Sequence, residues 1–209
     1  MPVEPEIKNA MSFIDGQNLF QHAKAAFGYH HLNFDPLKLH KSVCEIHGWR
    51  PTLVHFYTGV PDVARSAMWA GYWSNRVLAL KRAGVQVQTR PLRYRDEVVP
   101  LPDGSTTSIE TPQEKGIDVR IALDVVKLAR KKQFDVAILF SQDHDLAEVA
   151  QEVREIAREQ DRWIQLVCAF PDGPNASFRR GVPGSNWFRM DADFYAACVD
   201  PRDYRPRRT

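Results

Sequence analysis

The feature that most limits how this 209-residue chain can fold is its alternation of short apolar runs with longer amphipathic stretches. The short runs are rich in β-branched and aromatic residues, and each gap between them is long enough to hold a helix. Strands that alternate with helices predict a parallel sheet covered by helices. We therefore expect an α/β fold with a mainly parallel central sheet of about five strands, at residues 11–14, 52–58, 85–90, 135–140 and 163–170.

Turn and cap residues divide the rest of the chain. Asp35 and Pro36 suit the start of a helix, and Gly48 suits its end. The polar segment 93–110 is typical of a loop, or of a hairpin that turns at its Pro-Asp-Gly sequence. We expect helices over residues 18–27, 36–47, 62–83, 113–132 and 146–160, with a short one near 188–199.

An aromatic stripe marks the long helix expected at residues 62–83. Trp69, Trp73 and Leu80 share one of its faces. A stripe at helical spacing is more often buried in the core than used to bind a cofactor, so we expect core packing.

Composition indicates the class of protein. A chain of this length suits one domain, which we place at residues 8–200, followed by a basic C-terminal tail at residues 201–209. The three cysteines are widely spaced and odd in number, which indicates reduced thiols. No apolar stretch is long enough to span a membrane, and the first ten residues lack the apolar segment of a signal peptide. We therefore expect a cytoplasmic protein with no membrane partner.

Four aspartates lie where a predicted strand ends or where the helix before the fourth strand begins. Asp15 comes directly after the first strand, Asp143 and Asp145 come after the fourth, and Asp118 opens the helix that leads into the fourth. The carboxyl ends of parallel strands meet at one edge of a sheet, so these side chains are expected to converge. Two unit charges about 4 Å apart repel by roughly 4 kcal/mol at an effective dielectric of 20. Protonation, a lysine such as Lys115, or a divalent cation would relieve this repulsion. The all-oxygen donor set favours Mg²⁺ or Mn²⁺ over Zn²⁺.

The helix at 113–132 carries a second aspartate. Asp118 heads an apolar stripe, which places it on the face that meets the sheet. Asp124 instead shares its face with Arg120, Lys127 and Lys131, a pattern that predicts a solvated row of ion pairs.

Three sequence blocks stand together in this order: FIDGQNLF at 13–20, EKGIDVRIALDVVKLA at 114–129 and DVAILFSQDHDL at 135–146. They resemble the NYN domain family, the LabA-like branch of the PIN-like nuclease superfamily. The resemblance implies a three-layer α/β/α PIN-like fold, which is Rossmann-like. Gln142 and Leu146 depart from the family pattern, which has Gly and Phe there, but neither change removes a carboxylate.

The resemblance also implies an activity and its residues. It implies a Mg²⁺- or Mn²⁺-dependent ribonuclease, of the endonuclease type, that hydrolyses RNA phosphodiester bonds with a metal-activated water. Asp15, Asp118, Asp143 and Asp145 match the metal-binding and catalytic positions of the family, and Asn18 matches their polar catalytic partner. The residues that match the flanks of the site, with a role in substrate binding, are Lys115 and Ser141.

Basic clusters suggest where RNA phosphates would bind. The net charge of +2 is too small to indicate a polyanionic partner by itself. The clusters suit phosphate contacts, although solvated charge explains each one as well. The candidate substrate-binding residues are Arg90, Arg93, Arg95, Arg179 and Arg180.

Other functions remain open at this point. The expected partner is single-stranded or structured RNA, and a homo-oligomer is left open. The main alternative is an RNA-binding or scaffold module that keeps the metal site without cleaving. A phosphatase on a similar sheet is a further alternative, although the sequence lacks the aspartyl-phosphate motif of the haloacid dehalogenase type after its first strand, and it contains no nucleotide-binding glycine motif.

Overall fold

A computed structural model describes residues 2–30, 33–176 and 178–206 of the protein. In chain order its helices and strands are β1 (Asn9–Asp15), α1 (Gly16–Phe27), α2 (Pro36–His47), β2 (Arg50–Val60), α3 (Ala67–Arg82), β3 (Gln86–Pro91), β4 (Arg93–Pro100), β5 (Thr106–Gln113), α4 (Ile117–Arg130), β6 (Val136–Phe140), α5 (Ala147–Glu159), β7 (Gln165–Pro171), β8 (Asn186–Met190) and α6 (Ala192–Ala197).

The central sheet has six strands in the order β3-β2-β1-β6-β7-β8. Every neighbouring pair in it runs parallel. In the register of this sheet, Asp15 lies beside Tyr57 of β2, and Ile14 lies beside Phe140 of β6. The mainly parallel sheet expected from the sequence is therefore confirmed. Of the loop and the hairpin that the sequence left open for residues 93–110, the structure has the hairpin, since β4 and β5 form a separate antiparallel pair.

The predicted count of about five strands was one too few for this sheet. The missing strand is β8, which lies at the sheet edge and pairs only with β7. Four of its five residues are at least partly exposed to solvent, so it lacks the apolar alternation that identifies a strand in a sequence. Part of the region assigned to a helix near 188–199 is this strand, and α6 is accordingly shorter than expected.

Two hydrophobic cores, one on each face of the sheet, make the fold three-layered. Helices α1, α2, α3 and α6 contribute to one core and α4 and α5 to the other. Alternate residues of β1 serve both: Ile14 belongs to the first core, and Met11 and Phe13 belong to the second. This alternation follows from the two-residue period of a strand, and the resulting three-layer α/β/α architecture is the one expected.

Helix ends follow local chemistry. The Asp35 carboxylate accepts the backbone N–H of Leu37 at the start of α2, and Gly48 ends that helix with φ +66°, as the sequence predicts. Helix α4 begins four residues later than expected because β5 continues to Gln113 and Gly116 turns the chain with φ +77°.

The C-terminal segment folds back onto the domain as far as it is described. The Tyr204 ring is buried, and its hydroxyl donates to Asp200 at 2.7 Å. Residues 207–209 of the predicted basic tail lie outside the described residues. No helix within the described ranges is long and apolar enough to cross a membrane.

Candidate functional site

The candidate site lies where the order of strands reverses. From β1 the sheet continues through β2 and β3 on one side and through β6, β7 and β8 on the other. Loops that leave the carboxyl ends of β1 and β6 therefore diverge and open a crevice, the usual ligand site of such sheets. Asp15 is the last residue of β1, and Asp143 comes three residues after the end of β6.

A pocket of about 440 Å³ occupies this crevice. It contains three of the four aspartates that the sequence singled out, a glutamate that it did not, and one lysine. Its described lining residues are Asp15, Gln17, Asn18, Gln21, Glu114, Lys115, Gly116, Ile117, Asp118 and Asp143.

Asp15 is held in place by the helix that it begins. Its carboxylate accepts the backbone N–H of Asn18 at 2.9 Å and so caps α1. The side chain is only 5% exposed. The pKa of Asp15 is raised to about 6, mainly by burial and in addition by the nearby charges of Asp143 and Asp118, against the lowering effect of the cap. The ionised form of Asp15 is therefore costly in the protein without a cation.

Glu114 is the pocket carboxylate that sequence reasoning missed. It accepts the backbone N–H of Gly59 at the carboxyl end of β2. A Cβ at Gly59 would lie 2.7 Å from the Glu114 Oε2 atom, so this contact depends on a glycine there. Burial raises the pKa of Glu114 to about 7, with added repulsion from Asp15 and Asp118. Glu114 stands in the block EKGID, and its proximity to Asp15 becomes apparent only once β5 is known to end at Gln113.

The two aspartates after β6 are separated by a tight turn. The Asp143 carboxylate accepts the backbone N–H of Asp145 at 3.0 Å and starts a single 3₁₀ turn, His144–Leu146. Asp143 lines the pocket, whereas Asp145 is exposed and does not. The structure thus brings Asp15, Asp118 and Asp143 together and leaves Asp145 outside.

Asn18 and Ser141 hold the loops that carry these aspartates. The Asn18 side-chain oxygen accepts the backbone N–H of Gln142 at 2.9 Å, which ties the start of α1 to the loop after β6. This bond leaves the amide N–H groups of Asn18 to donate to water or phosphate. Ser141 is buried, and its hydroxyl accepts the backbone N–H of Asp143 at 3.2 Å. Ser141 therefore holds the backbone of Asp143 in place.

Gln142, one of the departures from the family pattern, connects the site to the following loop. Its side-chain Nε2 donates to the carbonyl oxygens of Phe178 and Arg180 at 3.2 and 2.9 Å. The substitution therefore brings residues 178–180 beside the turn that holds Asp143.

The basic candidates lie at different distances from the pocket. Lys115 lines it, and Arg90 reaches its edge, because a Cβ at Gly116 would lie 2.9 Å from the Arg90 Nη1 atom. Arg179 is exposed, but it donates to the Gly173 carbonyl oxygen at 3.0 Å. The remaining candidates, exposed and not among the described pocket-lining residues, are Arg93, Arg95 and Arg180.

The donor set of the pocket fits a hard divalent cation. Its ligating atoms are carboxylate and amide oxygens, the kind that Mg²⁺ and Mn²⁺ bind in preference to Zn²⁺. Among the residues that the structure describes, no three His, Cys, Asp or Glu side chains converge closely enough to hold an ion unaided. Mg²⁺ commonly keeps several waters and uses one or two carboxylates together with substrate phosphates. An open group of carboxylates is therefore compatible with it.

The model of the NYN domain family matches residues 9–179 of the chain. The chain belongs to the NYN family. This places it in the PIN-like nuclease superfamily, as the three sequence blocks suggested, and all four pocket carboxylates fall within the matched range. No curated protein matches the sequence at a significant level.

A solved structure of another protein shows a similar fold. A protein of unknown function from Vibrio parahaemolyticus shares 18% identity with this chain at a TM-score of 0.55, and the alignment covers 92% of this chain and 99% of that one. MurG of Acinetobacter baumannii shares 14% identity at a TM-score of 0.33, with 88% of this chain and 45% of that one covered.

Asp124 of this NYN domain differs from the sequence prediction. Its ion pair with Arg120 is present, at 2.9 Å, but the residue is only 7% exposed and is not part of a solvated row. The solvated interpretation was wrong because the buried Tyr57 hydroxyl of β2 donates to Asp124 at 3.0 Å. Asp124 therefore fastens α4 to the sheet and lies outside the pocket.

Asp124→Asn should consequently lower the free energy of unfolding by about 1.5–3 kcal/mol, because hydrogen bonds to a buried charged group contribute on that order. Thermal unfolding of this NYN domain measures the loss, and Tyr57→Phe, which removes one of the bonds, should lose less. An unchanged melting temperature would show instead that Asp124 is solvated.

Proposed function

We propose that this NYN domain is a Mg²⁺- or Mn²⁺-dependent RNA endonuclease that hydrolyses phosphodiester bonds in its acidic pocket. The observation that carries the proposal is the group of four carboxylates from three separate parts of the chain in one pocket at the reversal of the strand order. Membership of a nuclease superfamily supports the same activity. Such a concentration of partly buried carboxylates repels a phosphate unless cations accompany it.

In this proposal, some residues of the site bind the cation and others position those ligands. Asp15, Asp118 and Asp143 provide the oxygen ligands, and Asn18 and Ser141 hold the loops that position Asp15 and Asp143. A bound divalent cation would supply a Lewis acid for the scissile phosphate and lower the pKa of water. Asp145, exposed beside the pocket, is kept as a ligand candidate only on the strength of the family pattern.

Glu114 is suited to accept a proton. A general base works best when its pKa is close to the working pH, and the pKa of Glu114 is raised to about 7. One of its oxygens is engaged by the Gly59 N–H, which fixes the side chain and leaves the other oxygen available. In the proposed step, the water oxygen bonds to phosphorus, its proton passes to Glu114, and the bond to the departing sugar oxygen breaks. The sugar oxygen is then protonated by solvent.

Basic side chains around the pocket would hold the RNA backbone. Lys115 in the pocket and Arg90 at its edge are placed to contact the phosphates next to the scissile one. Arg93 and Arg95 on the hairpin, with Arg179 and Arg180 on the loop after β7, would extend this contact. Such contacts predict an RNA affinity that falls as the salt concentration rises.

The experiment that tests the proposal is cleavage of labelled single-stranded and hairpin RNA in Mg²⁺, Mn²⁺ or EDTA. We expect internal cleavage with either metal and none in EDTA. Asp143→Asn and Glu114→Gln should lose it, whereas Asp124→Asn should keep it, because Asp124 is a buried carboxylate outside the pocket. Asp145→Asn should lose less than Asp143→Asn if the pocket, rather than the family pattern, defines the ligands.

Two results would count against the nuclease. If folded wild type binds RNA and is stabilised by Mg²⁺ but cleaves no RNA, the domain is a binding module that retains its metal site. Hydrolysis of small phosphomonoesters, lost in Asp143→Asn and without action on RNA, would assign the pocket to a phosphatase.

A further inference from the structure

A second cavity, of about 710 Å³, adjoins the acidic pocket. Its volume lies within the range of roughly 300–1,000 Å³ that is usual for small-molecule sites. Both cavities are lined by Gln17, an exposed residue in the first turn of α1. A ligand bound among the carboxylates can therefore extend past Gln17 into the second cavity.

Aromatic rings form one wall of this second cavity. Trp69 packs edge-on against Tyr72 at a centroid distance of 5.4 Å, and Tyr72 does the same with Trp73 at 5.6 Å. The sequence predicted that Trp69 and Trp73 both pack in the core. Trp73 does so, but Trp69 is 45% exposed and faces the cavity. An exposed indole at the mouth of a cavity is poorly explained by packing and suits a flat apolar ligand.

A buried arginine fixes this wall. The Arg76 side chain is 1% exposed, and it donates to the Tyr72 hydroxyl at 2.9 Å and to the Phe34 carbonyl oxygen at 2.6 Å. The Tyr72 ring is thus held from behind, and a ligand that stacks on the wall need not order it first.

The exposed charges of the cavity favour an uncharged ligand, since its third arginine, Arg76, is 1% exposed. Arg202 pairs with Asp200 at 2.8 Å, and Arg205 pairs with Asp203 at 2.7 Å. Each of these guanidinium groups already faces a carboxylate, so neither offers a full positive charge to a phosphate. A nucleobase is flat and uncharged, and stacking of an unpaired base on an aromatic ring contributes to single-strand binding by many proteins.

We propose that this cavity holds an unpaired nucleobase of single-stranded RNA, stacked on Trp69, next to the phosphate that lies in the acidic pocket. The inference rests on the proposed function, because it takes the acidic pocket as the phosphate site. It also defines the substrate class: the RNA must be unpaired at this position, since a base within a duplex cannot reach the cavity without leaving its stack.

The test combines protein variants with an altered RNA. Affinity for a labelled single-stranded RNA is measured by fluorescence anisotropy in Mg²⁺, with every variant also carrying Glu114→Gln so that no cleavage interferes, and cleavage is measured separately with Glu114 intact. Trp69→Leu should weaken binding by about 5- to 150-fold, the range expected for one stacked base, and Trp69→Phe should retain most of the affinity. Trp187→Leu is the matched control, because Trp187 is equally exposed, at 44%, and lines neither cavity.

An abasic nucleotide moved along the same RNA locates the effect. At one position relative to the cleaved bond, removal of the base should weaken binding to the wild type but not to Trp69→Leu, which is the coupling expected of two groups in contact. Melting temperatures of all variants identify any loss of fold.

Each outcome separates the base cavity from the nuclease. Unchanged affinity of a folded Trp69→Leu variant would overturn the base cavity, and persistent cleavage in that variant would leave the nuclease standing. Equal weakening for intact, abasic and duplex RNA would also overturn it, because Trp69 would then act on the fold. If base-dependent binding is found without cleavage of any RNA, the cavity is supported and the nuclease fails.

Discussion

Asp15→Asn should melt at a higher temperature than the wild type in EDTA at pH 7.5, while metal-dependent cleavage of RNA falls by about 10³-fold or more. The loss of activity corresponds to several kcal/mol of transition-state stabilisation that depends on the cation. The gain in stability arises from burial: the pKa of Asp15 is raised from 3.8 to about 6. Keeping it ionised at neutral pH therefore costs about 2–3 kcal/mol, since one pKa unit corresponds to about 1.4 kcal/mol. Asparagine caps a helix as well as aspartate does.

The raised pKa of Asp15 also determines how the free energy of unfolding changes with pH. The folded state holds the Asp15 proton more tightly than the unfolded state does, so the free energy of unfolding in EDTA falls as the pH rises from about 4 to about 6. Glu114, whose pKa is raised from 4.5 to about 7, extends the fall toward neutral pH. The advantage of Asp15→Asn should thus shrink to below about 1 kcal/mol near pH 4, and Mg²⁺ should stabilise the wild type far more than the variant at pH 7.5.

Thermal melts across this pH range, with and without Mg²⁺, measure both effects. Asp124→Asn is the opposite control, because it should lose stability and keep its response to Mg²⁺. If Asp15→Asn melts below the wild type in EDTA at pH 7.5, its carboxylate stabilises the fold and is not held there for a cation. Unimpaired cleavage in the variant would place the reaction elsewhere.

The parts of the site that sequence reasoning located are those fixed by strand order. Asp15 and Asp143 follow strands, and Asp118 opens the helix before β6, so the rule that parallel strands end at a common edge was enough to bring them together. The sheet itself was predictable for the same reason, since β1, β2, β6 and β7 are apolar runs bounded by clear helix signals.

What the sequence did not show depends on contacts between distant residues or on short turns. Glu114 reaches the pocket through its bond to Gly59, fifty-five residues earlier in the chain. Asp145 is turned outward by a 3₁₀ turn that an extended segment would not make. Asp124 is buried by Tyr57, which helical periodicity alone cannot reveal. Such contacts cannot be recognised from the spacing of residues along the sequence. The solvent exposure of these side chains and their hydrogen-bond partners were therefore the least predictable features.

Gly16→Ala should reduce RNA cleavage by about 10²-fold without changing any charge in the pocket. A Cβ at this position would lie 2.7 Å from the Phe56 ring and 3.0 Å from the Tyr57 carbonyl oxygen. The ring is fully buried, so it has little room to move, and the start of α1 must shift instead. This shift would displace Asp15 and Asn18 on either side of the substitution, and misplacement by about 1 Å can cost 10²-fold in rate.

The comparison with Gly48→Ala separates displacement of the site from loss of fold. Gly16→Ala overpacks the core, at a cost of about 1–3 kcal/mol. Gly48→Ala should cost a similar amount, about 1–2 kcal/mol, because φ is +66° there, although no atom lies within 4 Å of its Cβ position. Gly48 precedes β2, at the opposite end of the strands from the pocket. Equal melting temperatures with cleavage lost only in Gly16→Ala would show that the glycine after Asp15 sets the position of the carboxylate. If Gly16→Ala cleaves as well as Gly48→Ala does, the start of α1 accommodates the methyl group, and the position of Asp15 does not depend on that glycine.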